Sequence, residues 1–340
     1  MPDGFSLALV AILILAVSFD YINGFHDTAN AIATSVSTRA LKPEYAIVLS
    51  ATANFVGALT GTAVAKTIAS GLVNPLTDPG TGVDPNQLVV MAALVGAIVW
   101  NLITWRLGIP SSSSHALIGG LLGASVSGGG LATLQVNGVV NKVLIPLVSS
   151  PLIGFALAFG LMVLIYWVFQ HGQPQRLNRR FRRLQVVSAS YMAFSHGSND
   201  AQKTMGIMTL ALFSAGLIAS PDVPLWVILV AASAISLGTA AGGWRIIKTM
   251  GQKVVKLDPV HGFAAETTAA TVIFGASHFG IPVSTTHVIS SAILGVGTVD
   301  NRKAVRWGIA GNIAIAWVLT LPASGSVAAL TFVALRALFG

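Results

Sequence analysis

The chain contains no cysteine, and only 9% of its 340 residues are charged. The first absence removes disulfides, thiolate metal sites and thiol nucleophiles, and leaves the redox compartment open. The second removes a water-exposed surface, because an ordinary soluble domain carries about 25% charged residues. No G-x-x-x-x-G-K-[ST] loop is present, which excludes a P-loop pump. There is also no H-x-x-x-H or H-E-x-x-H spacing, so no metal site is expected from the histidines. The net charge of +8 does not point to nucleic acid, since the basic residues sit in short gaps between apolar runs. The first run, Phe5 to Phe19, follows Asp3 with no positive residue and no small-residue cleavage site after it, so it reads as a span and not a leader.

What remains is 54% hydrophobic residues arranged in long runs. They lie at about 5–23, 45–70, 88–105, 113–127, 139–170, 186–219, 224–242, 262–279, 283–297 and 307–339. A spanning helix needs about 20 apolar residues, so the chain predicts an all-α membrane protein of about ten crossings, two of them short. The short ones start at Pro110 and Pro282, where a helix is normally interrupted. Segment 171–185 carries Arg176, Arg179, Arg180, Arg182 and Arg183 without an acid, which assigns it to the cytoplasm. Counting outward puts both termini outside and fifteen of the nineteen basic residues inside, among them Arg39, Lys42, Arg106, Arg245, Lys253 and Arg302. The loop acids Asp78, Asp84 and Asp222 then fall outside.

The two halves resemble each other. Gly108 to Gly123 aligns with Gly280 to Gly295 at seven identities in sixteen positions, and Gly24-Phe-His-Asp27 aligns with Gly197-Ser-Asn-Asp200 at nearly the same offset. Two matches in one order at one interval indicate an internal duplication. Five crossings per copy is odd, so the copies are expected with inverted topology: 1–170, a basic linker 171–185, and 186–340. Glycine pairs Gly57/Gly61, Gly119/Gly123 and Gly238/Gly242 suit close helix packing.

Ionisable groups in the spans cost about 2.5–3.5 kcal/mol each at mid-membrane on insertion scales, so Asp27, Asp200, Lys203 and Glu266 stand out as an ion or substrate path. Asp27 shares a helical face with Asn30, and Asp200 with Lys203. The competing structural reading of the second pair is a satisfied ion pair. After Pro110 and Pro282, Ser112, Ser113 and Ser114 in one copy and Ser284, Thr285 and Thr286 in the other precede a short apolar helix. Each reads as the open N-terminus of a half-helix, with unpaired N–H groups, a positive dipole end and added hydroxyl donors for an oxyanion. Plain N-capping is the bland alternative. His115 and His287 occupy equivalent positions. Together with His26, His196 and His261 they read singly as packing or helix-end residues.

These segments resemble the inorganic phosphate transporter (PiT) family: Gly24-Phe-His-Asp-Thr-Ala-Asn30, Ser195 to Gly206, Ile109 to His115 and Ile281 to His287. The resemblance covers nearly the whole chain. It implies cation-coupled transport of inorganic phosphate, substrate held between the half-helix segments and the aspartate motifs, a homodimer in the lipid bilayer, and no enzymatic activity. Family members commonly carry Gly-x-Asn-Asp-x-Ala-Asn in both copies. Here His26 replaces the first Asn, Asn199 keeps the second, and Gln202-Lys203 replaces Ala-Asn. The Gln-Lys form is similar to that of bacterial low-affinity permeases, which implies proton coupling and a metal-phosphate substrate and weakens a symmetric pair of sodium sites. Glu266 falls where a membrane carboxylate recurs in the family, which implies a place in the coupling path. No bound cofactor is expected, and the alternatives are sodium-coupled phosphate transport, a sulfate permease and, far behind, an intramembrane hydrolase built on Ser112 and His115.

Overall fold

The computed structural model describes residues 6–69, 72–74, 76, 83–300, 303 and 305–339. Asp78 and Arg302, assigned above to opposite faces, lie outside the described residues, as does the side chain of Lys253. Every regular element among the described residues is helical. The helices are α1 (Leu7–Ser37), α2 (Pro43–Ala58), α3 (Ala63–Ala69), α4 (Pro85–Leu107), α5 (Ser113–Gly129), α6 (Val136–Val139), α7 (Ile145–Val168), α8 (Pro174–Ser214), α9 (Leu225–Ala241), α10 (Trp244–Lys248), α11 (Pro259–His278), α12 (Thr285–Asp300) and α13 (Trp307–Phe339). Among the described residues the extended pairing is an isolated antiparallel bridge between Val73 and Leu134.

Four stretches are long and apolar enough to cross a membrane unaided: Leu7–Ser37, Pro85–Leu107, Val136–Val168 and Trp307–Phe339. Leu225–Ala241 with Trp244–Gly251, bent by 61°, makes a fifth. Helix covers most of the described residues of each of the ten runs seen in the sequence, with 45–70 split between α2 and α3, but the remaining runs fail that criterion for physical reasons. α2, α5 and α12 have 16, 17 and 16 residues, and α8 and α11 carry the polar and ionisable side chains of the interior. The expected linker 171–185 is not a loop. From Pro174 it is the first part of the 41-residue α8, which runs unbroken through the Asp200 motif.

Packing partners exchange between the halves. α1 packs on α9 while α8 packs on α2, α5 packs on α13 while α12 packs on α7, and α4 packs on α13 while α11 packs on α7. Glycines set these contacts at close range. A Cβ on Gly24 would overlap the Ile235 carbonyl oxygen, and one on Gly197 that of Asn54. Likewise Gly57 meets the Phe194 carbonyl and Gly238 that of Tyr21. Gly119 and Gly123 press against Leu321 and Gly325 of α13 in the same manner. Gly61 and Gly242 lie beyond the ends of α2 and α9, so those two do not complete helix-packing pairs. Ahead of each half-helix, Gly108 (φ +67°) and Gly280 (φ +66°) adopt the left-handed conformation that ends α4 and α11 and turns the chain into Ile-Pro.

The basic connections gather. The Arg245 guanidinium donates to the Arg106 carbonyl at 2.7 Å and lies over the Trp105 ring, while the Thr249 hydroxyl donates to the Gly108 carbonyl at 2.9 Å. Elsewhere Lys66 pairs with Asp222 at 2.8 Å, and its hydrogen bond holds that exposed carboxyl below the usual range.

Replacing Gly57 by Val is expected to destabilise the fold by about 1–3 kcal/mol or more through overpacking. Gly160→Val, at a position with open space around it, is expected to be near neutral. Thermal unfolding of the purified protein in detergent compares the two, and equal midpoints would show that the α2–α8 approach is not tight.

Candidate functional site

The half-helices begin where the Pro-interrupted pattern puts them. Ser112 caps α5, its Oγ accepting from the His115 N–H at 3.2 Å, and Ser284 Oγ accepts from the His287 N–H at 3.2 Å. Both hydroxyls thus serve as caps while keeping their own proton to donate. His115 and His287, equivalent in the two halves, meet with ring centroids 4.8 Å apart, and His287 stacks on Trp317 at 4.0 Å. The two N-termini therefore converge.

Lys203 joins them. Its ammonium contacts the Asp200 carboxylate on its own helix, the Ser114 hydroxyl at the start of α5, and at 3.3 Å the Val283 carbonyl ahead of α12. Three acceptors match the three ammonium donors. Thr285 Oγ1 donates to the other Asp200 oxygen at 3.0 Å. Asn30, equivalent to Lys203, reaches across in the opposite sense, with Nδ2 donating to Thr286 Oγ1 at 2.9 Å and Thr285 Oγ1 at 3.4 Å. Ser113 Oγ is buried there without a hydrogen-bond partner. All of these side chains are at most 4% exposed, so the site is closed to solvent.

Asp27 enters from α1. Its Oδ1 pairs with His26 Nδ1 at 2.6 Å, and His26 Nε2 reaches Thr104 Oγ1 at 3.0 Å. His196 lies between the aspartates, with Nε2 3.2 Å from Asp200 Oδ2 and 4.0 Å from Asp27 Oδ2, and with Nδ1 held by Asn54 Oδ1 at 2.9 Å. One donor atom each from Asp27, His196 and Asp200 lies within 4.8 Å of the others, a spacing able to hold a cation. His196, read from sequence as a packing residue, is thus part of the cluster. Its place four residues before Asp200, on one helical face, was the available signal.

Two residues expected with this group, Glu266 and Asn199, lie elsewhere or have other partners. Glu266 on α11 accepts from Ser188 at 2.5 Å, from Gln185 Nε2 at 3.2 Å and from the Thr34 hydroxyl. Thr34 is seven residues beyond Asp27, about 10 Å along α1, so Glu266 forms a separate polar centre. Asn199 turns away, donating to Ser277 Oγ at 2.8 Å, just as His26 engages Thr104 in the other half. Gln202, which departs from the family pattern, accepts from the Val64 and Ala65 N–H groups at 2.8 and 3.4 Å and so caps α3. The partners Thr34, Gln185 and Ser188 carried no sequence signal, because small polar residues are common in spans.

A cavity of about 610 Å³ lies away from this cluster, between α1, α3, α4, α5 and α8, and includes Ile12, Leu72, Asn86, Ser125 and Ala211. Size alone would nominate it. The converging half-helices hold the titratable and hydroxyl groups, so they remain the candidate site.

A family model described as the phosphate transporter family matches residues 23–328. The chain is 50% identical over 331 residues to a "Probable low-affinity inorganic phosphate transporter" of Bacillus subtilis (strain 168), covering 97% of this chain and 98% of that protein. It is 46% identical over 329 residues to a protein of the same description from Mycobacterium tuberculosis (strain ATCC 25618 / H37Rv), covering 95% and 76%. Among solved structures it is similar to "The sodium-dependent phosphate transporter", with a TM-score of 0.88 and 25% identity over 98% of this chain and 100% of that one.

Breaking a buried ion pair from one side costs about 3–5 kcal/mol, whereas removing both charges costs less. Lys203→Met is therefore expected to lower the unfolding midpoint sharply, and Asp200→Asn combined with Lys203→Met to recover part of the loss. A double variant as unstable as the sum of its parts would show that the two groups are not coupled.

Proposed function

The chain belongs to the phosphate transporter family, and on that premise we propose that it is a secondary active symporter carrying inorganic phosphate across the cytoplasmic membrane with proton coupling. The observation that carries the reading is the Lys203 ammonium at the meeting point of both half-helix entrances, bonded to Asp200, Ser114 and the Val283 carbonyl. Phosphate would bind there, between the N-termini of α5 and α12, taking donors from Ser112, Ser113, Ser114, Ser284, Thr285, Thr286 and Asn30.

Coupling follows from competition for donors. Lys203 and Thr285 both serve the Asp200 carboxylate in this structure. An arriving oxyanion needs the same donors and is repelled by the carboxylate. Protonating Asp200 removes the repulsion and releases Lys203 and Thr285 to the substrate. An ammonium at the position equivalent to Asn30 repels sodium, whereas an amide oxygen could ligate it. Asp27 and Glu266 are further proton acceptors on the route, and Asn199 holds α8 against α11. A metal-phosphate substrate would enter with its charge already neutralised. The sodium-coupled reading has its own support in the sodium-dependent neighbour and in the close approach of Asp27, His196 and Asp200.

We further propose about ten crossings in two inverted repeats, a homodimer, both termini outside and 171–185 inside. The exchange of packing partners between halves supports the repeats, and the family resemblance supports the dimer. Because the chain has no cysteine, single cysteines introduced at Gln175 and Ser220 report sidedness cleanly. Labelling by an impermeant maleimide in right-side-out vesicles is expected at 220 and not at 175, and the reverse would invert the topology.

Labelled-phosphate uptake into sodium-free proteoliposomes with an inward proton gradient, with and without magnesium, tests the function. Uptake stimulated by the gradient is expected, and Asp27→Asn and Asp200→Asn are each expected to reduce it to background. Strict dependence on sodium would replace the proton reading, and sulfate transported in preference to phosphate would replace the substrate.

A further inference from the structure

Asp20 has no role in the site above, yet it lies on the same helix as Asp27, two turns away, and is fully buried with both carboxylate oxygens lacking a hydrogen-bond partner. A carboxylate kept from water without a donor is among the most costly arrangements an apolar interior can contain. The groups around it are unsatisfied acceptors or hydroxyls. Thr204 faces Asp20 from α8 as the neighbouring hydroxyl that acts on its carboxyl, and its Oγ1 is buried without a hydrogen bond of ordinary geometry. Asn23, one turn inward on the same face of α1, has its side-chain carbonyl oxygen buried and unpartnered. Two carboxylate oxygens, one hydroxyl and one amide carbonyl share a single hydroxyl donor, which is a poor hydrogen-bonding arrangement and a good cation shell.

Their position is specific. Asp27 faces His196 and Asp20 faces Thr204, so α1 and α8 run antiparallel with a fixed register. Continued outward, that register brings Ala16 beside Ile207 and Ile12 beside Ala211, and Ile12 and Ala211 both line the 610 Å³ cavity. Asp20 therefore lies about 12 Å inward of the cavity wall along α1, behind the buried apolar pair Ala16 and Ile207. On its other side is the Asp27–His196–Asp200 cluster.

We propose that Asp20 and Thr204, with Asn23, form a monovalent-cation site between the outer cavity and the central cluster, a station through which the coupling cation passes. The proposal rests on the coupled-transport reading given above. Hard oxygen donors select a proton, sodium or a similar ion over a soft metal. One carboxylate balances one positive charge, and Lys203 nearby disfavours two. The charged groups acting on Asp20 are Asp200, His196 and Lys203, all on α8. The Asp200 carboxylate adds to the attraction for a cation, and Lys203, already engaged by Asp200, limits it.

The full-length protein, in nanodiscs and in proteoliposomes, tests the site. In nanodiscs the thermal midpoint is followed as sodium replaces choline at fixed pH, and as pH is lowered without sodium. The wild type is expected to respond to at least one of these, which identifies the ion, and Asp20→Asn to lose that response while Asp20→Glu keeps it. In uptake, Asp20→Asn is expected to raise the cation concentration for half-maximal rate by about tenfold or more, as loss of a charged ligand should. The phosphate half-saturation at saturating cation should stay within about threefold, well short of a lost charged contact. Thr204→Val, which keeps shape and removes one oxygen, is expected to shift the cation dependence in the same direction by less, and it carries the test if Asp20→Asn does not fold. Wild-type cation dependence in both Asp20→Asn and Thr204→Val, or a change in phosphate half-saturation alone, would overturn the proposal. A wild type that binds the cation in nanodiscs but moves no phosphate would refute the transport reading and leave this site standing.

Discussion

An ammonium group in an apolar interior must be surrounded, and the architecture around Lys203 is arranged to do so. Isolated in hydrocarbon the charge would be prohibitive, so three acceptors have to arrive from three directions. Asp200 comes from the same helix, Ser114 from the first residues of α5, and the Val283 carbonyl from the unwound segment before α12. Each of the last two is available because Pro110 and Pro282 interrupt their helices. The buried charge thereby fixes the position of both half-helices at once.

That convergence needs helices that approach more closely than ordinary side chains allow. The glycines supply it in matched sets, Gly24 with Gly197 and Gly57 with Gly238, each facing a backbone carbonyl of the opposite half. With no hydrophobic force between helices in lipid, such contacts rely on dispersion and small residues. α1 also packs against α8 with polar faces together, which aligns Asp20, Asp27, His196 and Asp200 along one seam. The same pairing turns His26 toward Thr104 and Asn199 toward Ser277, so a polar contact in one half has its counterpart in the other.

The seam is asymmetric in charge although its scaffold is matched. Asn30 and Lys203 occupy equivalent positions and both reach into the opposite half-helix entrance, but one offers an amide and the other an ammonium. Gln202 is used to cap the short helix α3, which ties the departure from the family pattern to packing as well as to the site. Glu266, among hydroxyl and amide donors, forms a second centre toward the end of α1. The arrangement is a chain of small buried polar centres separated by apolar side chains.

The sequence by itself determined the all-helical class, the two helix interruptions, the residues that start each half-helix and the costly groups Asp27, Asp200, Lys203 and Glu266. These are local properties: apolar run length, proline's missing donor and the expense of charge in lipid. Tertiary structure alone decided which of them meet. Nothing in spacing indicated that Lys203 would bind Ser114, that His196 would stand between two aspartates, or that Glu266 would belong to a different centre, because these depend on the register of helices far apart in the chain. It also made residues 174–185 helical, since the arginines there indicate where the membrane ends but place no limit on how far a helix extends beyond it.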